Sequence, residues 1–250
     1  MPELVIGCPI RRREWMVPSW VQHVARACDV ALLKPDFVFV VPKDDPTKEL
    51  LSTHIQGVSR LSTIGLGSVE FIRTDEETTE LPRQGNGGWS SMRYQRMVDL
   101  RNGLLRRVRQ VGPKYFLSLD SDILLAPEAL QEALVALESV PADAVGMRTY
   151  MFPGSENTMA PSHGQIVHGR LRNRHDWRGQ PIRVDAIMAA KLMTAPAYNI
   201  DYEMHTEGED IGWSAACGRA GVRLAYCSTA IGKHIMAKGD LDVVDERVGF

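Results

Sequence analysis

The sequence predicts an α/β chain with a mainly parallel central sheet flanked by helices. Three observations predict it. Short apolar runs bounded by breakers alternate with stretches of helical periodicity from Leu4 onward, in the order β-α-β-α-β. Lys114-Tyr115-Phe116-Leu117-Ser118-Leu119 reads as apolar on both faces, as a central parallel strand must be. The 250 residues are 44% hydrophobic and 24% charged, ordinary globular values that exclude a mainly disordered chain.

The first strand is Leu4-Val5-Ile6-Gly7-Cys8, closed by Pro9. After Arg11-Arg12-Arg13, residues 18–27 carry apolar side chains at helical spacing. Asp36–Val41 is a second strand, stopped by Pro42, with a helix to follow from about Pro46 to Gly57. Val69–Ile72 is a third strand. Residues 81–91 concentrate Gly and Pro and read as a loop or lid. A long amphipathic helix comes next, with Met92, Met97, Leu100, Leu104, Leu105 and Val108 near one face. The central strand at 114–119 runs straight into Asp120-Ser121-Asp122. Pro127–Ser139 is helical and Ala144–Arg148 a strand. Residues 152–183 show little periodicity and are rich in Gly, Pro, Asn, His and Arg. Order returns with an apolar run at 186–193, a helix from about Asp210 to Ala220 and a strand at 222–226. With no internal repeat, residues 1–250 read as one domain.

Charge and cysteine usage narrow the function classes. The 29 Lys+Arg against 31 Asp+Glu give a net charge of −2, which excludes a chain basic throughout. No run approaches the roughly 18 apolar residues of a membrane span. The N-terminus lacks the layout of a secretory signal. Cys8, Cys28, Cys217 and Cys227 have no CxxC spacing and suit reduced core thiols, so a cytoplasmic protein is expected.

Chemistry concentrates first at Asp120 and Asp122. Ligands of open α/β sheets bind outside the carboxyl ends of the strands. Two carboxylates one residue apart at such an end chelate a hard divalent cation, and a cation there neutralises a diphosphate leaving group. A pair capping the next helix is the plain alternative; the strand before it favours the functional reading.

The set Val98-Asp99-Leu100-Arg101-Asn102-Gly103, then Gly112–Asp122, then Gly208-Glu209-Asp210-Ile211-Gly212-Trp213, Arg219, Gly221–Leu224 and His234 resembles the GT-A-fold glycosyltransferases of the Asp-x-Asp type. The likeness covers residues 3–150 and 184–236, in order. It implies a Rossmann-like domain with a mixed, mainly parallel sheet, residues 1–125 forming its nucleotide-sugar-binding half and 126–250 its acceptor-binding and catalytic half. It also implies transfer of one sugar from a nucleotide-diphosphate donor of UDP or GDP type, because the Gln-x-x-Arg-Trp motif of processive synthases is absent.

The resemblance assigns Asp120, Asp122 and His234 to Mn²⁺ or Mg²⁺. It assigns the general base to Asp210, with Glu209 second; acidic residues at a helix start also suit the dipole. Pro9, Arg11, Asp44, Arg101, Asp120 and Ser121 fall on the nucleotide-sugar side. Arg11–Arg13 follow the first strand, where guanidinium groups suit phosphate oxygens. The loop around Asp44 departs from the family's Asp-Asp-Gly-Ser form, and Lys233 reads as a solvated neighbour of His234.

The block from His168 to Arg178 holds four arginines against one acid. Arg170, Arg172 and Trp177 are therefore acceptor-side candidates, for a glycan, a protein or a modified nucleic acid. A polyanion such as hydroxymethylated DNA would use several of the arginines. Two other functions compete. A sugar nucleotidyltransferase needs a Gly-rich loop after the first strand, where Gly7–Arg12 has one glycine. A non-catalytic nucleotide-sugar-binding module has no use for a base.

Overall fold

The computed structural model describes residues 1–74, 90–150, 163–168, 170–173, 179–235 and 237–241. In chain order the elements are β1 (Leu4–Pro9), α1 (Val17–Ala31), β2 (Pro35–Pro42), α2 (Thr47–Ser59), β3 (Val69–Thr74), α3 (Ser91–Val111), β4 (Tyr115–Ser118), β5 (Ile123–Leu125), α4 (Ala129–Ser139) and β6 (Ala144–Tyr150). There follow β7 (His163–Val167), β8 (Arg170–Asn173), β9 (Ile182–Val184), β10 (Ala186–Ile187), β11 (Lys191–Met193), α5 (Ala195–Tyr198), α6 (Glu209–Arg219) and β12 (Leu224–His234).

The main sheet runs β3-β2-β1-β4-β11-β6-β12-β5, with β9 on β12. Strands β3, β2, β1 and β4 are mutually parallel. Strand β11 enters antiparallel between β4 and β6, and β12 lies parallel to β6. This is the mixed, mainly parallel sheet expected. The chain winds outward from β1 to β3 and then returns through α3 to β4 on the other side of β1. The carboxyl ends of β1 and β4 therefore flank the point where strand order reverses, where an open α/β sheet forms its ligand crevice.

Alternation along the strands feeds two cores. Leu4, Ile6, Phe37, Phe39 and Leu117 pack with α1, α2 and α4, while Val5, Val38, Val40 and Phe116 face α3, α5 and α6. Helix α1 buries Trp20, Val21, Val24 and Cys28 and ends at Leu32 in the left-handed region. All four cysteines are buried free thiols. Helix α3 is capped by Ser90, whose hydroxyl accepts from the Arg93 amide, and ends at Gly112 with φ +65°.

Five local expectations change. The buried face of α3 is Val98, Arg101, Leu104, Leu105 and Val108, so a guanidinium stands where an all-apolar stripe is predicted; Met92 is exposed. Between Asp122 and α4 the chain makes the short strand β5. Within the block of little periodicity, β7 and β8 form a hairpin that joins β10 in a second, three-stranded sheet. The last strand continues to His234, because β5 pairs with its end. Lys233, expected in solvent, is buried and donates to the Asp240 carbonyl.

Candidate active site at the sheet switch point

The loop after β1 is fastened to the loop after β2. Asp45 accepts the Arg12 amide at 2.8 Å and the Thr47 amide at 2.9 Å, and Thr47 Oγ1 accepts from the Arg13 amide. Asp44 beside it is exposed and Asp45 is buried. The buried acid thus does the fastening and leaves Asp44 facing solvent. Pro9 closes β1 and Arg11 is half-buried just beyond it.

Arg13 turns inward, its Nη2 donating to Asp122 Oδ2 at 2.9 Å. The Asp-x-Asp turn is held by its backbone. The Asp120 carbonyl accepts from Trp20 Nε1 at 3.2 Å and from the Ile123 amide at 3.0 Å. Ser121 is buried within that turn.

Arg101, 2% exposed on α3, donates from Nη2 to Asp120 Oδ1 at 2.8 Å and from Nε to Glu209 Oε1 at 3.3 Å. One planar guanidinium thereby ties the Asp-x-Asp turn to the first turn of α6. Gly208 precedes that turn at φ +112°, a conformation that L side chains rarely adopt, against the Tyr94 ring. Four residues on, Gly212 lets α6 approach the chain closely. A Cβ there would lie 2.0 Å from the Glu203 carbonyl oxygen.

Asp210 is gripped from the sheet. Its Oδ1 accepts from Lys191 Nζ on β11, and its Oδ2 accepts the Ala189 amide at 3.2 Å. Lys191 is the residue missed at the level of sequence. It is fully buried, its ammonium 5.3 Å from the Tyr202 ring centroid and 5.4 Å from that of Trp213. The available signal was one charge inside the apolar run 186–193.

His234 Nε2 lies 3.4 Å from Asp122 Oδ1. Four carboxylates, Asp120, Asp122, Glu209 and Asp210, thus meet three permanent cations, Arg13, Arg101 and Lys191. His234 balances the set only when protonated.

Burial and charge divide the acids. Burial raises the Asp120 carboxyl, and Asp210 adds to this against the opposing Arg101. Burial also raises Glu209, with Asp210 again adding to it. Burial pushes Asp122 up too, but the His234 hydrogen bond and the Arg13 charge outweigh it and hold the carboxyl low. For Asp210, burial is outweighed by Lys191 and then Arg101, and its carboxyl lies below the ordinary value.

The donor set bears on a divalent cation. Octahedral Mg²⁺ has ligands at roughly 2.1 Å, which puts adjacent ligand atoms about 3 Å apart. Asp122 Oδ1 and His234 Nε2 are spaced close to that, and oxygen and imidazole donors suit Mn²⁺. Asp120 instead turns one oxygen to Arg101, and among the described residues no three acidic, His or Cys side chains converge on one point.

On the far side, Arg172 pairs with Gln165 and Arg170 with Val167 in the β7–β8 hairpin, both arginines exposed. The Leu171 amide donates to Glu207 at 2.6 Å, which fastens the hairpin two residues before Glu209. Trp177 lies outside the described residues, as does most of the Gly- and Pro-rich segment 81–91. No helix among the described residues is long and apolar enough to cross a membrane.

No protein-family model matches the sequence, and no curated protein does. Solved structures do. S. aureus TarS 1-349 is 14% identical with a TM-score of 0.57, over 94% of this chain and 60% of that one. Its complex with UDP-GlcNAc is 13% identical with a TM-score of 0.59, over 98% and 62%. Its complex with UDP is 12% identical with a TM-score of 0.55, over 96% and 62%. The chain therefore spans about 60% of the length of these structures. At such identity the likeness is one of architecture, and the architecture of this chain is the GT-A-like α/β fold of the TarS structures.

Proposed function

We propose that this chain is a cytoplasmic glycosyltransferase that moves one sugar from a nucleotide-diphosphate sugar to an acceptor hydroxyl. The observation that carries this reading is the Arg101 bridge. It joins an Asp-x-Asp turn at the sheet's switch point to a Glu-Asp pair at a helix start, two acidic sets with different work to do. The architecture shared with TarS, solved with UDP-GlcNAc and with UDP, supports a UDP-type donor.

In this reading the nucleotide enters over the ends of β1 and β4, past Pro9 and Arg11, with Asp44 and Ser121 beside the nucleoside and Asp120 beside the sugar. Arg13 lies where it meets the diphosphate oxygens. Asp122 and His234 would hold Mn²⁺ or Mg²⁺, with Asp120 on the same turn as Asp122. A cation held there would supply charge neutralisation for the diphosphate leaving group. Asp210, low in pKa and therefore ionised at neutral pH, accepts the proton of the acceptor hydroxyl. The hydroxyl oxygen forms its bond to the anomeric carbon as the bond from that carbon to the diphosphate oxygen breaks. A single displacement inverts the centre. Glu209, held to Arg101, keeps α6 in register with the Asp-x-Asp turn.

The hairpin fastened beside Glu209 supports an acceptor side that includes Arg170 and Arg172. Their exposed guanidinium groups suit a phosphate-bearing polymer, hydroxymethylated DNA among them. The test is a thermal-shift screen of UDP-, GDP- and TDP-sugars with and without Mn²⁺, followed by donor hydrolysis. A donor that stabilises the chain only with Mn²⁺, and whose hydrolysis is lost in Asp120→Ala and Asp122→Ala, is the expected result. Stabilisation by no nucleotide sugar, or hydrolysis retained in both variants, would overturn the reading.

A further inference from the structure

The sheet buries the ammonium of Lys191 beside the candidate base. Lys191 starts β11, flanked by Ser118 on β4 and Gly146 on β6, and its next two residues, Leu192 and Met193, are buried and apolar. Moving an ammonium from water to such a place costs several kcal/mol before any partner is counted, and an apolar side chain of similar volume often serves stability as well or better. Its Nζ has the candidate base as its ion-pair partner. It donates to Asp210 Oδ1 and lies over the rings of Tyr202 and Trp213, which stack at 5.8 Å behind it. Two aromatic faces leave the cation one anionic partner to approach.

We infer that Lys191 is a positioning residue for the transfer reaction, acting through Asp210: it pins Oδ1 from the sheet side while the Ala189 amide steadies Oδ2. The inference rests on Asp210 being the base. The Ala189 amide is aimed by an unusual backbone, since Ala189 has φ +55°. Lys191 and Ala189 thus come from one short segment, and together they fix the carboxylate plane. Residual lone pairs on the carboxylate remain to take a proton.

The charges around Asp210 set the sign of the consequence. Lys191 from β11 and Arg101 from α3 favour the carboxylate, while Asp120 after β4 and Glu209 on α6 oppose it. Tyr202, neutral at these pH values and itself raised by burial, adds no charge. Without the ammonium, burial and two acids act against Arg101 and the Ala189 amide, and the base must protonate at higher pH.

The experiment follows hydrolysis of the donor selected by thermal shift, with Mn²⁺, from acid to alkaline pH. The chains compared are the full wild-type chain, Lys191→Gln, Lys191→Arg and Asp210→Asn. Gln removes the charge and leaves an uncharged amide donor on the same side, which limits the cost to folding. In Lys191→Gln the acid limb of kcat should move up by about one pH unit or more, a loss of about tenfold on that limb that recovers toward alkaline pH. Lys191→Arg should keep the limb near its wild-type position. In parallel, the carboxyl ¹³C titration of Asp210, assigned by its absence in Asp210→Asn, should shift upward in Lys191→Gln, a readout that needs no turnover. An unmoved limb with an unmoved ¹³C titration, or an equal loss at every pH, overturns the positioning role. Full hydrolysis by Asp210→Asn overturns the base assignment itself, so the two failures are told apart.

Discussion

His234 Nε2 stands 3.4 Å from Asp122 Oδ1 across an antiparallel ladder. The ladder sets that distance: His234 is directly opposite Ile123, and the Ile235 amide donates to the Asp122 carbonyl at 2.8 Å. Two residues far apart in sequence are thus held by sheet register, a stiffer support than a loop. We predict that Asp122→Ala and His234→Ala each weaken Mn²⁺-dependent binding of the donor by about tenfold or more, roughly 1.4 kcal/mol. Binding without Mn²⁺ should change less. Calorimetric titration with UDP-GlcNAc checks this, and equal losses with and without Mn²⁺ would contradict it.

Glu209 gives a prediction of opposite sign for stability and activity. Its carboxyl is raised in the folded chain by burial and by Asp210. A raised carboxyl means the ionised form is disfavoured on folding, so it subtracts stability above its unfolded pKa and ceases to do so as pH falls. Glu209→Gln should therefore have a higher urea midpoint than wild type at pH 7, while donor hydrolysis drops. The gain should vanish below about pH 4.3, the ordinary glutamate value. A lower midpoint at pH 7 would show that the charged contact to Arg101 dominates.

Helix α6 contains its own control pair. A Cβ at Gly212 would sit 2.0 Å from the Glu203 carbonyl oxygen, whereas one at Gly218 meets nothing within 4 Å. Gly212→Ala should destabilise by about 1–3 kcal/mol and displace the acidic pair at the helix start, with loss of hydrolysis. Gly218→Ala should be neutral or stabilise by up to about 1 kcal/mol. Equal chemical-denaturation midpoints for the two variants would refute the close approach as the cause.

Arg170 and Arg172 carry the polyanion reading. If the acceptor is duplex nucleic acid, the log–log salt slope of binding is about −0.9 for each phosphate contacted. The double variant Arg170→Ala/Arg172→Ala should then flatten the slope by about 1.8 and leave donor hydrolysis unchanged. Fluorescence anisotropy with labelled hydroxymethylated duplex over a salt series measures it. Affinity that is flat with salt in the wild-type chain points to a neutral glycan or a protein hydroxyl instead.

Much of the frame was legible because it is local. The apolar runs at Leu4, Asp36 and Val69, the central strand at Tyr115 and the helix from Glu209 are read from adjacent residues, and all lie where the periodicity puts them. Three features were not legible, each for a physical reason. Strand β5 is three residues long, too short for a period, and exists because β12 offers it an edge. Strands β7 and β8 are five and four residues long, HGQIV and RLRN, with no regular alternation to mark them. Lys191 is one charge in an apolar run, and its meaning arises only when β11 meets α6. Arg101 shows the same limit: the sequence marks it, while its bridge between two acidic sets is a fact of packing.

The insertion of β11 has a consequence for how the chain is made. On a ribosome, β1 through β6 emerge before Lys191–Met193 exists, so β4 and β6 have no common neighbour to join them and each offers a bare edge. Such edges pair readily with other chains. Vectorial synthesis therefore passes through a vulnerable window that lasts until β11 and then β12 are made, and a truncation at residue 185 should aggregate rather than fold as a half-molecule. The strand that carries the buried lysine is also the one that joins β4 to β6, so this junction and the ammonium arrive in the same event.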